Sequence, residues 1–574
     1  MNSLHLIIAA CSMAACAAPG AQGGSGISKA SIETSSPAPE QKSKVGAGDY
    51  LISRFAQRHF DWKSANAHIQ ALIKSGIDND EILRRGMILS MGAGDSKTAI
   101  ALAKEMLGRD NADNKVIAQL FLGADSVRRG DFKQAQSILQ NMPDDATAKF
   151  VSPYMNAWVQ AGLGHLRIDH LKENTLQLYH AILISDFLHD YSEVKKTLEK
   201  AKNVEDIHPE EMMRIADIYA HIGSKKEAME MYDRALKSAP GNPQILEHKS
   251  QLEKGTNPPL FVKVSSAGDG LARAFSDIAT ALYQEYNDET ARVFANLALF
   301  LQPDMLDTKL LLAQIAARHD QFDEAISYYK ALPRTNDDYK SAQYKIADLL
   351  MDEGHTDEAI QTLKALVESH HDVEAQIRIG DIDRREENFG AALEAYNKAV
   401  SMLDGKIPNE YWHLHYVRGM VLEQIGQWDD AEKELKAALA LQPNHPYILN
   451  YLGYAWADRG INLAKAQEMI ARAVELRPSD GYIVDSLGWV KYKLGHYAEA
   501  APILERAVSL MPYDSTVNDH LGDAYWKVGR YREARFQWER AKNHAEDKAT
   551  IERLTQKLEH GLHEEHAVAD VKTP

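Results

Sequence analysis

The chain has 574 residues and a formal charge of −17, from 82 acidic against 65 basic residues, with no long basic run. Binding a nucleic-acid backbone needs a clustered positive footprint, so nucleic acid is excluded as the principal partner. Both cysteines, Cys11 and Cys16, sit at the N-terminus, so neither a disulfide framework nor a cysteine metal site can hold the rest of the chain.

Taken in order, the first element is an apolar run from Leu4 to Ala15. It is too short to span a bilayer and has the length of a signal-peptide core. Its first three residues, Met1, Asn2 and Ser3, carry no positive charge, which is a departure from such signals. An uncleaved apolar N-terminus is the alternative. From Ala17 to Lys42 the chain is rich in Ala, Gly, Ser, Pro and Gln and reads as a linker.

Amphipathic helical patterning then begins. Asp49 to Gly76 reads as one helix pair, with Trp62 and Ala65; Asp80 to Leu107 is a second and Asn114 to Leu139 a third. Residues 150–202 are helical without a clear register. A clean pair centres on Ala216, with Gly223, Ala228 and Pro240. Gly255 to Gly270, with its paired prolines and the β-rich stretch Leu260 to Val264, has the wrong chemistry for a helix and reads as a break. Small residues then recur at Ala279, Ala313, Ala347 and Gly380.

From Tyr411 to Lys542 one pattern is written four times. Gly419, Gly453, Gly488 and Gly522 are spaced 34, 35 and 34 residues apart. Gly426, Gly460, Gly495 and Gly529 form a second column, Ala431, Ala466, Ala500 and Ala534 a third, and Ala438, Ala473, Ala507 and Ala541 a fourth. Pro443, Pro478 and Pro512 close the first three units. A closing proline stops a helix because it has no N–H to donate and disfavours helix in the residue before it.

In period and columns the chain resembles the tetratricopeptide-repeat family, whose unit is a helix-turn-helix of 34 residues. The resemblance implies an all-α, right-handed superhelical solenoid covering about residues 49–542, and the break near 251–270 is expected to divide it into two halves. It places the first glycine column and the first alanine column where helices A and B of a repeat cross, and the second glycine column in the turn between them. Leu435, Ile470, Leu504 and Trp538 are expected to fill the space beside the small residues. The expected order is a signal over 1–16, a disordered linker over 17–47, degenerate repeats over 48–250, a break over 251–270, middle repeats over 271–402, clean repeats over 403–542, a capping helix over 543–562 and a disordered tail over 563–574.

The N-terminus resembles a bacterial lipoprotein signal, in which a small-residue box precedes a cysteine that becomes lipidated. Met13-Ala14-Ala15 precedes Cys16, and Ile8-Ala9-Ala10 precedes Cys11; Cys16 is preferred and Cys11 stays open. Neither cysteine is followed by Asp, so this resemblance implies a membrane anchor and an outer-membrane, periplasm-facing location in the cell envelope. Elsewhere no segment approaches the apolar length of a transmembrane helix.

No catalytic, cofactor or metal residue is expected. Gly92 to Thr98 imitates a phosphate loop, but it carries Met91 and Ser96 where that loop has glycines and has no strand before it. His560, His563 and His566 recur every third residue near the end, where a solvated tail is the simpler reading. The best site is a surface. The family resemblance puts positions 2, 5, 9 and 12 of helix A on an inner concave wall, giving a groove of Tyr416, Tyr447, Asn450, Tyr454, Tyr482, Asp485, Trp489, Tyr492, Asp519, Asp523 and Trp526. Aromatic rings offer contact area at little entropy cost, and the amide and carboxylates suit a peptide backbone or a basic side chain. The expectation is a non-catalytic protein-binding scaffold that holds a protein or peptide partner and helps assemble an envelope complex, with no small-molecule substrate. The alternative is an accessory of polysaccharide export or synthesis whose groove binds glycan.

Overall fold

The computed structural model describes residues 43–109, 115–143, 146–171, 174–202, 207, 209–260 and 264–562. Among them are 29 α-helices and no strand. The helices come in antiparallel pairs and group into two compact units, which divide between Leu349 and Leu350 inside helix Tyr339–Asp352.

The first unit opens with the pairs Ser43–Arg58 with Trp62–Lys74, Asp80–Gly92 with Ser96–Leu107, and Lys115–Arg128 with Phe132–Gln140. These match the three N-terminal pairs read from the sequence, except that the first helix begins at Ser43, inside the stretch 17–47 expected to be a disordered linker. Helices begin where a short acceptor can take an orphan backbone N–H: Asp61 accepts from Ser64 N, Asn79 from Ile82 N and Asp95 from Thr98 N. The apparent phosphate loop is therefore an interhelix turn, with Gly94 at φ +81° and Asp95 capping the next helix. Helices Ala146–Gly162, Thr175–Phe187 and Tyr191–Lys202 fill the region of uncertain register, and Pro209–His221 with Lys225–Ser238 forms the clean pair.

Long-range packing closes this unit. Helices Ala267–Gln284 and Asp288–Leu301 pack onto Asp80–Gly92, Lys115–Arg128, Ala146–Gly162 and Thr175–Phe187, and one apolar core runs from Ala56 to Ile315. A helix apolar on all sides must be enclosed; Leu271, Ala272 and Ala274, on different faces of the first of these helices, are all fully buried. The contact is polar as well. Arg292 Nε donates to the Gly92 carbonyl at 2.6 Å, its Nη2 donates to Glu324 Oε1 at 2.6 Å, and Asn296 Nδ2 reaches the same carbonyl at 3.1 Å. Near the start of the unit Phe60 stacks on His319 with centroids 3.3 Å apart.

This packing explains why the compact units divide at 349/350, whereas the sequence places a break at 251–270. The chain between helices Pro243–Glu253 and Ala267–Gln284 is not helical, but it lies inside the first unit, with Leu260 and Val264 against its core. Residues 261–263 of the expected extended stretch lie outside the described residues.

In the second unit the pairs are Val373–Arg385 with Phe389–Met402, Trp412–Gln424 with Trp428–Leu441, Pro446–Asp458 with Leu463–Leu476, Gly481–Lys493 with Tyr497–Leu510, and Ser515–Lys527 with Tyr531–Asn543. A last helix, Lys548–His560, packs on Tyr531–Asn543 and buries Leu554. The columns do what their chemistry requires. A Cβ on Gly488 would lie 2.5 Å from Leu504 Cγ, so only hydrogen fits where helices A and B cross. Gly495 in the following turn takes φ +80°, a conformation that costs most other residues energy.

Candidate functional site

In the second unit helix Pro446–Asp458 touches Gly481–Lys493, which in turn touches Ser515–Lys527, so the first helices of successive pairs form a continuous wall. The predicted groove residues all lie on these helices or on the preceding one, Trp412–Gln424. The structure sorts them into three environments.

Four residues are open or half-open. Tyr447 is 43% exposed and Tyr482 59%, both high for large aromatic side chains. The Arg477 guanidinium lies 5.9 Å from the centroid of the Tyr447 ring. Asn450 is half-buried, and its Oδ1 makes no hydrogen bond. Tyr454 is half-buried too; burial, with the charges of Asp458, Asp485 and Glu423, pushes its hydroxyl up to about 12. The hydroxyl is thus a neutral donor set among carboxylates.

Another four are committed to packing within the wall. Tyr416 meets Tyr451 edge to face at 6.0 Å, and burial pushes its hydroxyl up to about 12. Trp489 stacks on Tyr492 at 4.8 Å and on His520 at 3.9 Å. Asp485 is buried and accepts from His520 Nδ1 at 2.8 Å. Burial alone would lower the His520 pKa, but the carboxylates of Asp485, Asp519 and Asp523 outweigh it and hold it above its ordinary value.

The last three are covered by the terminal helix. Lys557 Nζ donates to Asp519 Oδ1 at 2.7 Å and to both carboxylate oxygens of Asp523, at 2.7 and 2.8 Å; Arg553 also pairs with Asp519. Trp538 Nε1 donates to Asp523 at 2.9 Å. Gly561 sits so close to Trp526 that a Cβ there would lie 2.1 Å from the indole. Where an open groove was expected, the fourth repeat presents a wall closed by its own chain. Two buried aspartates side by side need a cation, and the capping helix supplies it.

Sequence reasoning missed Tyr451, His520 and Lys557. The first two sit at helix A positions that the inner-wall pattern does not sample, and Lys557 lies in a helix without repeat columns to align it. Cys11 and Cys16, like His563 and His566, lie outside the described residues. Among the described residues no group of His, Cys, Asp and Glu could hold a metal ion, and no helix is long and apolar enough to cross a membrane.

Residues 272–415 match the family described as tetratricopeptide repeat-like domain, and residues 416–481, 486–547 and 212–242 match tetratricopeptide repeat. The chain is 29% identical over 195 residues to TPR repeat-containing protein PA4667 of Pseudomonas aeruginosa; the match covers 33% of this chain and spans only 31% of that relative. Two solved structures are also similar in part. One is MamA protein, at 24% identity over 33% of this chain and 96% of that one, TM-score 0.25. The other is the APC/C hetero-tetramer Cut9-Hcn1, at 14% identity over 86% of this chain and 98% of that one, TM-score 0.37. With the repeat columns, the helix pairs and the family matches in agreement, the chain belongs to the tetratricopeptide-repeat proteins, and its fold is that of a protein-interaction scaffold.

Proposed function

We propose that the open part of the second unit's wall, centred on Tyr447, Asn450, Tyr454 and Tyr482, binds an extended segment of a protein partner, and that the chain is a non-catalytic scaffold. The observation that carries this reading is the exposure of Tyr447 and Tyr482 on a wall whose aromatics Tyr416, Trp489 and Tyr492 are packed. Interface anchors are typically Tyr, Trp and Arg in just such settings. The carboxylates around Tyr454 favour a basic side chain.

The test is capture of the partner by Tyr454→Ala and Tyr482→Ala, singly and combined, against Tyr513→Ala, an exposed tyrosine outside the wall helices. Loss of capture in the combined variant, with helicity and melting preserved, supports the wall; retained capture removes it. Binding to glycan in place of peptide transfers the wall to the polysaccharide reading.

A lipid anchor on Cys16, or on Cys11, at the periplasmic face of an outer membrane belongs to the same proposal and rests on the resemblance of the N-terminal boxes. Labelling with an azide-tagged fatty acid should be lost in Cys16→Ser and kept in Cys11→Ser. Label that survives loss of both cysteines sinks the anchor.

A further inference from the structure

The first described helix, Ser43–Arg58, turns one face inward and leaves the other bare. On the inner face Ser53 Oγ donates to the Ala65 carbonyl at 2.8 Å, Ala56 is buried and Tyr50 packs on the core. The outer face is apolar. Leu51 is 66% exposed, Ile52 47% and Phe55 65%. Helical spacing sets Ala47, Leu51, Phe55 and Arg58 in one row, with Gly48 and Ile52 in the row beside it, and all six are open to solvent. Among the described residues no other Leu, Ile or Phe is as open as Leu51 or Phe55, and the remaining exposed ones are scattered singly, as on any surface.

The end of a solenoid ordinarily carries a polar outer face. The last helix, Lys548–His560, conforms, with Glu552, Arg553, Gln556 and Glu559 exposed. The first helix departs from that rule, and its charge departs from the rest of the chain. Residues 43–74 carry Lys44, Arg54, Arg58, Lys63 and Lys74 against only Asp49 and Asp61, whereas the whole chain has 82 acidic residues to 65 basic. Both of those aspartates are engaged: Asp49 pairs with His68 Nδ1 at 2.8 Å, and Asp61 caps the second helix by accepting from Ser64 N at 3.0 Å.

An exposed apolar stripe on a helix with a local surplus of positive charge suits the interface of an anionic bilayer, where the apolar side chains enter the headgroup region and the cations meet phosphate. Two copies of this face meeting about a two-fold axis would instead set like charge against like charge. We propose that the outer face of Ser43–Arg58 docks on an anionic lipid surface through Leu51, Ile52 and Phe55, with the exposed Arg58 and Lys63 as its phosphate contacts. The face is independent of the wall in the second unit. It is also independent of the acyl anchor, because it rests on its own residues and is tested with both cysteines replaced.

In the full chain Cys11→Ser with Cys16→Ser leaves no thiol. Leu51→Cys, Phe55→Cys or, in the second unit, Tyr513→Cys can then carry a single environment-sensitive NBD label. Vesicles of equal parts phosphatidylglycerol and phosphatidylcholine should brighten the label and shift it to the blue at 51 and 55, and leave it unchanged at 513. Binding should be about tenfold weaker to phosphatidylcholine alone, and weaker by a similar factor in Arg58→Glu with Lys63→Glu, with melting unchanged. No change at 51 and 55 in folded protein, an equal change at 513, or equal binding to the two kinds of vesicle overturns the proposal. A blue-shifted label at 51 and 55 before vesicles are added overturns it as well. If that shift grows with protein concentration, the face belongs to a second copy; if it is constant, the chain's own N-terminal segment covers it.

Discussion

Helix Ala267–Gln284 in the first unit and helix Pro446–Asp458 in the second each lead a helix pair, yet they are used in opposite ways. The former packs on earlier helices of its unit and buries residues on every side, including Arg273, Ser276 and Asp277. The latter buries one side and leaves Tyr447 exposed and Tyr454 half-exposed. The first unit thus spends its inner surface on itself, while the second keeps part of its wall for something else. Within the second unit the same contrast recurs on a smaller scale, between the open wall at Tyr454 and the wall that Lys557 closes over Asp519 and Asp523. A shared repeat therefore fixes the helix pair but not the availability of its surface.

The largest expected effect breaks the closure of the first unit. Arg292→Ala removes a fully buried guanidinium from Glu324 and from the Gly92 carbonyl and should cost about 3–5 kcal/mol. Urea unfolding followed by hydrogen exchange should show that loss confined to the first unit; an equal loss in residues 412–543 would show that the units do not behave separately.

Next comes the repeat geometry. Gly488→Val forces a branched side chain into Leu504 and should cost about 1–3 kcal/mol in the second unit. A neutral result would mean that the crossing tolerates bulk and that the glycine column has another cause.

A smaller effect depends on pH. His520 has a pKa raised above its ordinary 6.5 by Asp485, Asp519 and Asp523. Its stabilisation is fully present below 6.5 and is lost as pH rises through the higher folded-state value. The melting temperature of the second unit should fall over that interval in the wild type, and this part of the slope should vanish in His520→Gln. An unchanged slope would assign the titration to another group.

The smallest effect on stability is expected at the open wall. Tyr482→Ala removes a ring that is mostly in solvent and should shift stability by no more than about 0.5 kcal/mol. Trp489→Ala, which removes stacking on both Tyr492 and His520, should cost more, and its binding defect would carry a folding component.

The difference between what the sequence disclosed and what it hid follows from the reach of each interaction. Gly488 and Leu504 belong to one repeat, so their complementarity is written within a single period and is visible as aligned columns. Asp95, capping its own helix, is equally local. Arg292 meets Gly92 across 200 residues, and no periodicity connects a buried arginine to a backbone carbonyl so far away. The candidate wall was legible as a set of positions but not as a surface. Trp489 and Tyr454 occupy the same repeat position, and only the packed neighbours show that one stacks while the other stays half-open. Lys557 comes from a helix that follows no template, so its hold on Asp519 and Asp523 could not be aligned with anything.

The central claim is that the partner lies on the open part of the second unit's wall. The most direct measurement replaces Tyr454, Tyr482 or Tyr513 in turn with a photo-crosslinking amino acid in the full chain and maps the crosslinked partner peptide by mass spectrometry. Crosslinks to one partner segment from positions 454 and 482 and none from 513 are predicted; crosslinks from 513 equal to those from 454 and 482, or none from the wall while the partner stays bound, would contradict the account.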